Sequence, residues 1–168
     1  LDEGDRMLDV GFAPQLDAIS EFLPNDRQTS LFTATLDPKV RKLAKKYLTD
    51  PESISIGNSV TVAKIKQSVI QVTPDQKYTH VLDELNQREG ATIIFVKTKR
   101  GTDKLQKYLK SYGVSTGCIH GDRSQFQRDA AIKSFKSGKT RVLCATDIAA
   151  RGIDVPNVKH VINYDLPM

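Results

Sequence analysis

The feature that most constrains the fold of this 168-residue chain is its alternation of short apolar runs with amphipathic segments of helical period. The clearest apolar run, Ala91 to Val96, is continuous, which is typical of a strand covered on both faces of a sheet. Thr98 then caps a predicted helix that stops at Gly113. Strands that alternate with helices in this way predict an α/β fold of parallel sheets with helices on both faces.

The same alternation covers most of the chain. Further strands are predicted at 29–33, 53–56, 68–73, 114–119, 141–145 and 158–164. Further helices are predicted from apolar stripes and capping residues around 14–23, 37–50, 78–85 and 124–135. Ligands of such sheets bind beyond the carboxyl ends of the strands, so functional residues are expected just after strands.

A polar stretch interrupts this rhythm and predicts two domains. It begins at Gly57-Asn58-Ser59 and runs to Lys66 without strong periodicity. We therefore predict a first domain over 1–57, a linker over 58–66 and a second domain over 67–168. The chain opens on Leu1 rather than on a methionine, which suggests a piece of a longer gene product.

Composition sets broad limits on the function. Hydrophobic content of 39% and charged content of 27% are typical of a soluble globular protein, and no membrane span or signal peptide is visible. The formal net charge of +5 is compatible with polyanion binding, although the charges are spread along the chain. Cys118 and Cys144 lie in apolar surroundings, so we expect two reduced core thiols and a cytoplasmic protein, or a nuclear one if the source is eukaryotic.

An acidic cluster, Asp2-Glu3-Gly4-Asp5, directly follows the apparent strand residue Leu1. Hydrolysis of a phosphoanhydride needs Mg²⁺ near the phosphates and a group that orients the attacking water, and two carboxylates at a strand exit can serve both needs. A solvated acidic turn is the simpler reading of these four residues alone.

Five segments together favour the functional reading. They are Leu1–Phe12 (LDEGDRMLDVGF), Thr33-Ala34-Thr35, Ile93–Thr98 (IIFVKT), His120-Gly121-Asp122 with Gln125–Arg128, and Ala145–Asp154 (ATDIAARGID). In this order and spacing they resemble motifs II, III, IV, the QxxR region and motif V of the DEAD-box ATP-dependent RNA helicases of superfamily 2. The resemblance covers essentially the whole chain and implies tandem RecA-like domains, both incomplete.

The resemblance implies ATP and Mg²⁺ as cofactors and assigns a nucleotide site. Asp2 would reach Mg²⁺ through water and Glu3 would position the hydrolytic water. Asp5 would bond to the hydroxyls of Thr33 and Thr35 and so link hydrolysis to unwinding. Gly152 and Asp154 would contact the nucleotide from the second domain.

The resemblance also implies an RNA site in the second domain. Its predicted members are Thr98, Gly121, Gln125, Arg128, Thr146 and Asp147. Contacts with the RNA backbone carry no sequence information, so binding is expected to be sequence-independent and sensitive to salt. Without the family pattern, Arg128 would read as a solvated helix charge.

Two departures keep alternatives open. Gly4 replaces the alanine of the family name, and no GxxxxGK[ST] phosphate loop occurs in the chain. The family carries that loop before motif II and carries motif VI after motif V. We therefore expect a protein that couples RNA-stimulated ATP hydrolysis to duplex unwinding or remodelling of RNA–protein complexes, with the isolated chain inactive. A non-catalytic RNA-binding module and a related DNA helicase remain alternatives.

Overall fold

The computed structural model describes residues 1–9, 12–56, 65–150, 153, 155 and 157–166. The chain divides into two compact units, Leu1–Lys66 and Gln67–Met168. The division falls where the predicted second domain begins. The predicted linker overlaps residues 57–64, which lie outside the described residues, and its extent stays a prediction.

The described residues of the first unit form three helices, α1 (Gly4–Asp9), α2 (Ala13–Glu21) and α3 (Pro38–Tyr47). Helix α3 begins as its sequence predicts, since the Asp37 side chain accepts a hydrogen bond from the Val40 N–H at 2.8 Å and Pro38 follows the cap. Val40 and Leu43 are its buried residues, on one face of the helix. The predictions did not include α1, which has six residues and is too short to show a helical period.

The segment between α2 and α3 contains no assigned strand. Leu1 pairs with the predicted strand at 29–33, because its N–H donates to the Ser30 carbonyl and its carbonyl accepts from the Phe32 N–H, both at 2.8 Å. This pairing has the hydrogen-bond pattern of parallel strands, but on one side it involves only Leu1, which pairs with Ser30 and Phe32. The predicted strand 29–33 is therefore only an extended segment here.

The predicted strands at 53–56 and 68–73 are wrong. Both segments have irregular backbone, and their apolar side chains are exposed, with Ile56 at 95% and Val69 at 89%. A strand is stabilised by pairing with a neighbour, and alternation alone does not supply one. Neither segment has an assigned strand partner among the described residues.

In the part of the second unit that the structure describes, the strands form one four-stranded parallel sheet. Its strands are β1 (Ala91–Phe95), β2 (Thr116–Ile119), β3 (Val142–Ala145) and β4 (Val158–Asn163), in the order β2-β3-β1-β4. Helix α4 (Lys77–Gln87) precedes β1, and the strands are linked through α5 (Lys99–Ser111), α6 (Gln125–Lys136) and α7 (Asp147–Ala150). All four residues of β3 are buried, as expected for a central strand.

Helices cover both faces of this sheet, as the sequence predicts. On one face Ile94 and Cys144 pack with Val81 and Leu85 of α4 and with Leu105 of α5. On the opposite face the buried cluster joins the sheet to α6, and its members are Ile119, Phe135, Leu143 and Ala145. Both thiols are buried and free, in agreement with the prediction of core cysteines. No helix in the described ranges has the length and apolar character needed to cross a membrane.

Candidate functional site

The acidic turn in the first unit presents two exposed carboxylates. Its backbone is held by the pairing of Leu1 and by the Gly4 N–H, which donates to the Phe32 carbonyl at 3.0 Å. The Asp2 carboxylate accepts from the N–H of Glu3 at 2.8 Å. Glu3 in turn caps α1 through its carbonyl, which accepts from the Arg6 N–H at 2.9 Å.

Glu3 adopts a left-handed backbone conformation with φ of 51°. Such a conformation is uncommon for a residue with a long side chain and is maintained only where the surrounding structure requires it. The turn directs the Glu3 carboxylate into solvent, where it is 53% exposed and lies 3.2 Å from Arg6 Nη1. Sequence patterns do not encode this strain.

The structure brings Asp5 to only one of its two predicted threonine partners. The Thr35 hydroxyl donates to Asp5 Oδ2 across 30 positions of sequence, at 3.4 Å. The Thr33 hydroxyl donates instead to the Thr35 carbonyl at 2.7 Å and so shapes the turn on which Thr35 lies. In this structure Thr33 supports the contact with Asp5 and does not make it.

Gly4 is buried because its neighbours leave little room for a side chain. A Cβ atom at this position would lie 2.7 Å from Leu31 Cδ1 and 3.6 Å from the Phe32 carbonyl oxygen. An alanine here therefore requires the Leu31 side chain to move, which a flexible side chain can do. The close approach of α1 to the segment around Leu31 gives Gly4 a packing role and does not indicate a decayed catalytic site.

In the second unit the predicted RNA-binding residues collect at one edge of the sheet. Parallel strands end at the same edge, and Thr98, Gly121 and Thr146 follow β1, β2 and β3 in turn. Thr98 is the N-cap of α5 and accepts from the Gly101 N–H at 3.0 Å. The Thr146 N–H donates to the carbonyl of Ile119 at 3.2 Å, which joins the exits of neighbouring strands.

Arg128 connects two of the predicted segments. It lies in the first turns of α6, where Ser124 and Gln127 form a capping box. Its Nη2 donates to the Ala149 carbonyl of α7 at 3.2 Å, and its Nη1 donates to Gln125 Oε1 at 3.5 Å. The guanidinium is therefore held between the QxxR segment and the segment after β3.

Asp147 begins α7 and is exposed, whereas two other predicted residues cannot be placed. Helix α7 starts at the strand exit because the Thr146 carbonyl accepts from the N–H groups of Ala149 and Ala150, both at 3.0 Å. Gly152 and Asp154, the predicted nucleotide contacts of this unit, lie outside the described residues.

Sequence reasoning missed a buried polar network beneath the turn that contains Gly121. His120 is 3% exposed, and its Nε2 lies 3.1 Å from Oδ1 of Asp103 on α5. The same carboxylate oxygen accepts from Arg123 Nη2 at 2.6 Å. Burial raises the pKa of the Asp103 carboxyl, but the neighbouring His120 and Arg123 outweigh it and hold that pKa below its usual value.

Cys118 completes this network without making it a metal site. Its sulfur, the His120 imidazole and the Asp103 carboxylate lie within 4.8 Å of one another. However, both imidazole nitrogens are already engaged, since Nδ1 accepts from the Asp122 N–H at 3.3 Å and Nε2 faces Asp103. Burial also raises the pKa of the Cys118 thiol to about 11, so the thiolate that a metal requires is disfavoured.

The sheet and its helices define a class. A parallel sheet covered by helices on both faces, with the predicted site residues at its carboxyl edge, is the architecture of a RecA-like domain. A yeast Dbp5 structure, solved with RNA and ADP BeF3, matches with a TM-score of 0.84 and 40% identity over 100% of this chain and 44% of that one. A DEAD box protein from Methanococcus jannaschii matches with a TM-score of 0.62 and 40% identity, over 99% of this chain and 45% of that one.

Sequence comparison identifies the family. The model of the helicase conserved C-terminal domain matches residues 76–168, and the DEAD/DEAH box helicase model matches residues 1–43. The chain is 40% identical to the ATP-dependent RNA helicase DBP2 of Candida albicans and 43% identical to the probable ATP-dependent RNA helicase DDX17 of mouse. These alignments cover 99% of the chain, and 31% and 27% of the two relatives. The chain belongs to the DEAD-box helicase family and spans less than a third of these two relatives.

Proposed function

We propose that the chain acts as part of an ATP-dependent RNA helicase, in which RNA-stimulated ATP hydrolysis drives local unwinding of RNA duplexes or remodelling of RNA–protein complexes. The observation that carries this proposal is that the two family models match different units of the chain. In each unit the predicted motifs lie at the ends of strands or of extended segments. The contact between Thr35 and Asp5 further supports it, since it joins the motif after Leu1 to the motif after residue 32.

The acidic turn suits Mg²⁺ with its hydration shell. Mg²⁺ prefers carboxylate oxygens and keeps several waters, and Asp2 is exposed at the turn, which leaves room for a water between carboxylate and ion. We assign Asp2 to this role. When bound, the ion would neutralise charge on the phosphates of ATP.

Glu3 is the residue we assign to the attacking water. Its carboxylate can accept a hydrogen bond from that water and so fix the direction of attack, and Arg6 limits where the carboxylate can lie. Gly152 and Asp154 are proposed to bind the same nucleotide.

The RNA side of the proposal rests on the sheet edge of the second unit. Arg128 offers guanidinium donors to a phosphate, and Thr98, Gly121, Gln125 and Thr146 are proposed to follow the same sugar–phosphate backbone. Asp147 carries a negative charge and would repel a phosphate. We therefore assign it to a ribose 2′-hydroxyl, which a carboxylate can accept from and which DNA lacks.

The test uses the full-length gene product, of which this chain is expected to be a part. ATP turnover is measured with and without single-stranded RNA, for the unaltered protein and for Glu3→Gln. We expect RNA to stimulate turnover, and the substitution to lower kcat by about 100-fold to 10,000-fold with RNA binding retained. Glu21→Gln is the matched control, because it removes an exposed carboxylate of α2 and should leave kcat unchanged.

The outcomes separate the alternatives. RNA binding without ATP turnover in the unaltered protein favours a non-catalytic RNA-binding module. Equal affinity for RNA and DNA of the same sequence favours the DNA helicase. Absence of both RNA binding and turnover contradicts the proposal.

A further inference from the structure

The turn that follows β2 is anchored by a buried side chain. It comprises His120, Gly121, Asp122 and Arg123, and it is closed by the Arg123 N–H, which donates to the His120 carbonyl at 3.0 Å. Gly121 and Asp122 are exposed, whereas His120 is 3% exposed. The imidazole is therefore the buried anchor of an otherwise exposed turn.

The imidazole holds the turn through its Nδ1 atom. The Asp122 N–H donates to His120 Nδ1 at 3.3 Å, so this backbone donor points into the protein. The Arg123 N–H is used by the turn itself. Among the hydrogen bonds of the described residues, none is donated by the Gly121 N–H, and Gly121 is exposed, so this is the donor of the turn that a ligand can use.

The opposite side of the ring fixes its orientation. Nδ1 accepts a hydrogen bond, so in the neutral ring Nε2 bears the proton and donates to Asp103 Oδ1 at 3.1 Å. Asp103 is in turn held by Arg123 Nη2 at 2.6 Å, within the same turn. The ring is thus fixed at two atoms, one by α5 and one by the turn.

The outer face of the turn is shaped for the close approach of a backbone. Lys99 forms an ion pair with Asp122 at 2.5 Å, and a Cβ atom at position 121 would lie 3.2 Å from Lys99 Cε. A side chain at position 121 would therefore meet Lys99 and cover the N–H. Glycine leaves this donor accessible to a phosphate oxygen.

We propose that His120 is a positioning residue for RNA binding: its Nδ1 draws the Asp122 N–H inward and so presents the Gly121 N–H to the RNA backbone. This inference rests on the proposed RNA-binding function. His120 itself touches no RNA, because it is buried, and it acts through the turn. Asp103 has a supporting role, because it selects the ring tautomer that can accept from Asp122.

Two substitutions separate the two bonds of the ring. In His120→Asn the side-chain oxygen can occupy the position of Nδ1 and accept from Asp122, but the bond to Asp103 is lost. In His120→Gln the side-chain nitrogen can reach the position of Nε2 and donate to Asp103, but the acceptor for Asp122 is lost. If His120 had only a structural role, RNA affinity and stability would change together in both variants.

The experiment introduces each substitution into the full-length gene product and measures three properties. These are affinity for single-stranded RNA by fluorescence anisotropy, Tm, and hydrogen exchange of the Asp122 amide by NMR. We expect His120→Gln to bind RNA about fivefold more weakly, the equivalent of one ordinary hydrogen bond, with a rapidly exchanging Asp122 amide. We expect His120→Asn to keep RNA affinity within about twofold and a protected amide, with a lowered Tm. His160→Gln, which removes the imidazole of β4, is the matched control and should leave RNA affinity unchanged.

Several results would overturn the inference. One is equal RNA affinity in the two His120 variants, and another is tighter binding by His120→Gln than by His120→Asn. A measurement on the unaltered chain does not depend on the variants folding: ¹⁵N chemical shifts of the His120 ring should show a proton on Nε2 and none on Nδ1, and the reverse tautomer contradicts it. If the unaltered full-length gene product fails to bind RNA, the proposed function fails, whereas binding without the variant pattern refutes only the role of His120.

Discussion

Replacing Arg128 with alanine should weaken RNA binding because one contact with a phosphate is lost. The dependence of affinity on salt concentration can identify that loss. Arg128 has five N–H donors on a planar group, and two of its nitrogens donate within the protein, to Ala149 and Gln125. Nε is buried without a partner, so the second N–H of each Nη atom is what the fixed guanidinium can offer to a phosphate. A hydrogen bond between charged partners contributes about 1.5–3 kcal/mol, so Arg128→Ala should weaken binding about tenfold to about 150-fold.

The slope of affinity against salt gives a second, independent magnitude. Each phosphate neutralised on a single strand contributes about −0.7 to the slope of log K against log salt concentration, so the slope of Arg128→Ala should be shallower by about 0.7. Arg128→Lys should keep most of this slope because the charge is retained. It should still bind more weakly than the unaltered chain, because one ammonium cannot hold the Ala149 carbonyl and a phosphate in the same fork geometry.

The assay is a titration of labelled single-stranded RNA at several salt concentrations. Lys133→Ala provides the control, since it removes one exposed positive charge from the last turn of the same helix. It should leave the salt slope almost unchanged. If Lys133→Ala lowers affinity and slope as much as Arg128→Ala, the effect reflects net charge alone and the specific role of Arg128 is refuted.

Three further predictions concern other parts of the chain. In the full-length gene product, Thr35→Val should lower unwinding per ATP hydrolysed, measured with a labelled duplex, whereas Thr33→Val should have a smaller effect because its hydroxyl makes no bond to Asp5; equal effects would contradict this reading. Gly4→Ala should change ATP turnover by less than about tenfold, because only a flexible side chain has to move, and complete loss of turnover would show that the position tolerates no Cβ. Burial raises the pKa of the Asp165 carboxyl, but bonds from Lys77 and the Lys97 N–H lower it overall, so its stabilising effect is full above its ordinary pKa and is lost as the pH falls through the lowered one. Asp165→Asn should therefore lower Tm at pH 7, with a difference that shrinks below about pH 4, and a constant difference down to pH 2 would contradict the assignment.

Local signals predicted the second unit well because each of them acts over a few residues. Thr98 and Ser124 were predicted as helix starts, and both side chains accept a hydrogen bond from an N–H three residues on. Gly113 was predicted as a helix end, and it has positive φ, which glycine adopts without strain. The continuous apolar run at β1 correctly predicted a strand covered on both faces.

Other features could not be predicted because they depend on distant partners or on very short segments. Helix α7 has four residues, fewer than the two turns that a periodic pattern needs. The strand order β2-β3-β1-β4 depends on long-range packing that single-sequence patterns do not contain. Segments 53–56 and 68–73 had the alternation of a strand but no strand partner among the described residues.

The candidate site also has features that local sequence patterns predicted and features that depend on distant contacts. Motif order identified which residues to consider, and the sheet topology explains why Thr98, Gly121 and Thr146 reach one edge. The contact between Asp5 and Thr35 spans 30 positions of sequence. Asp5 bonds to Thr35 and not to Thr33 because of the turn around Thr35, which local sequence patterns do not predict. The signal that could have found the network beneath Gly121 is the alternation along β2, which puts Cys118 and His120 on the face toward α5.

The proposed RNA-binding edge of the second unit has a common construction that bears on its expected specificity. At the turn after β2 a buried imidazole holds the Asp122 N–H inward, and at the start of α7 the Arg128 guanidinium holds the Ala149 carbonyl. Each segment is fixed by a hydrogen bond within the protein, so the groups left for RNA are backbone donors and charges in set positions. Groups of this kind suit contacts with phosphates and riboses, which carry no sequence information. Sequence-independent binding is then expected from the geometry itself, and side chains that hold the edge from inside should affect affinity as strongly as many that touch RNA.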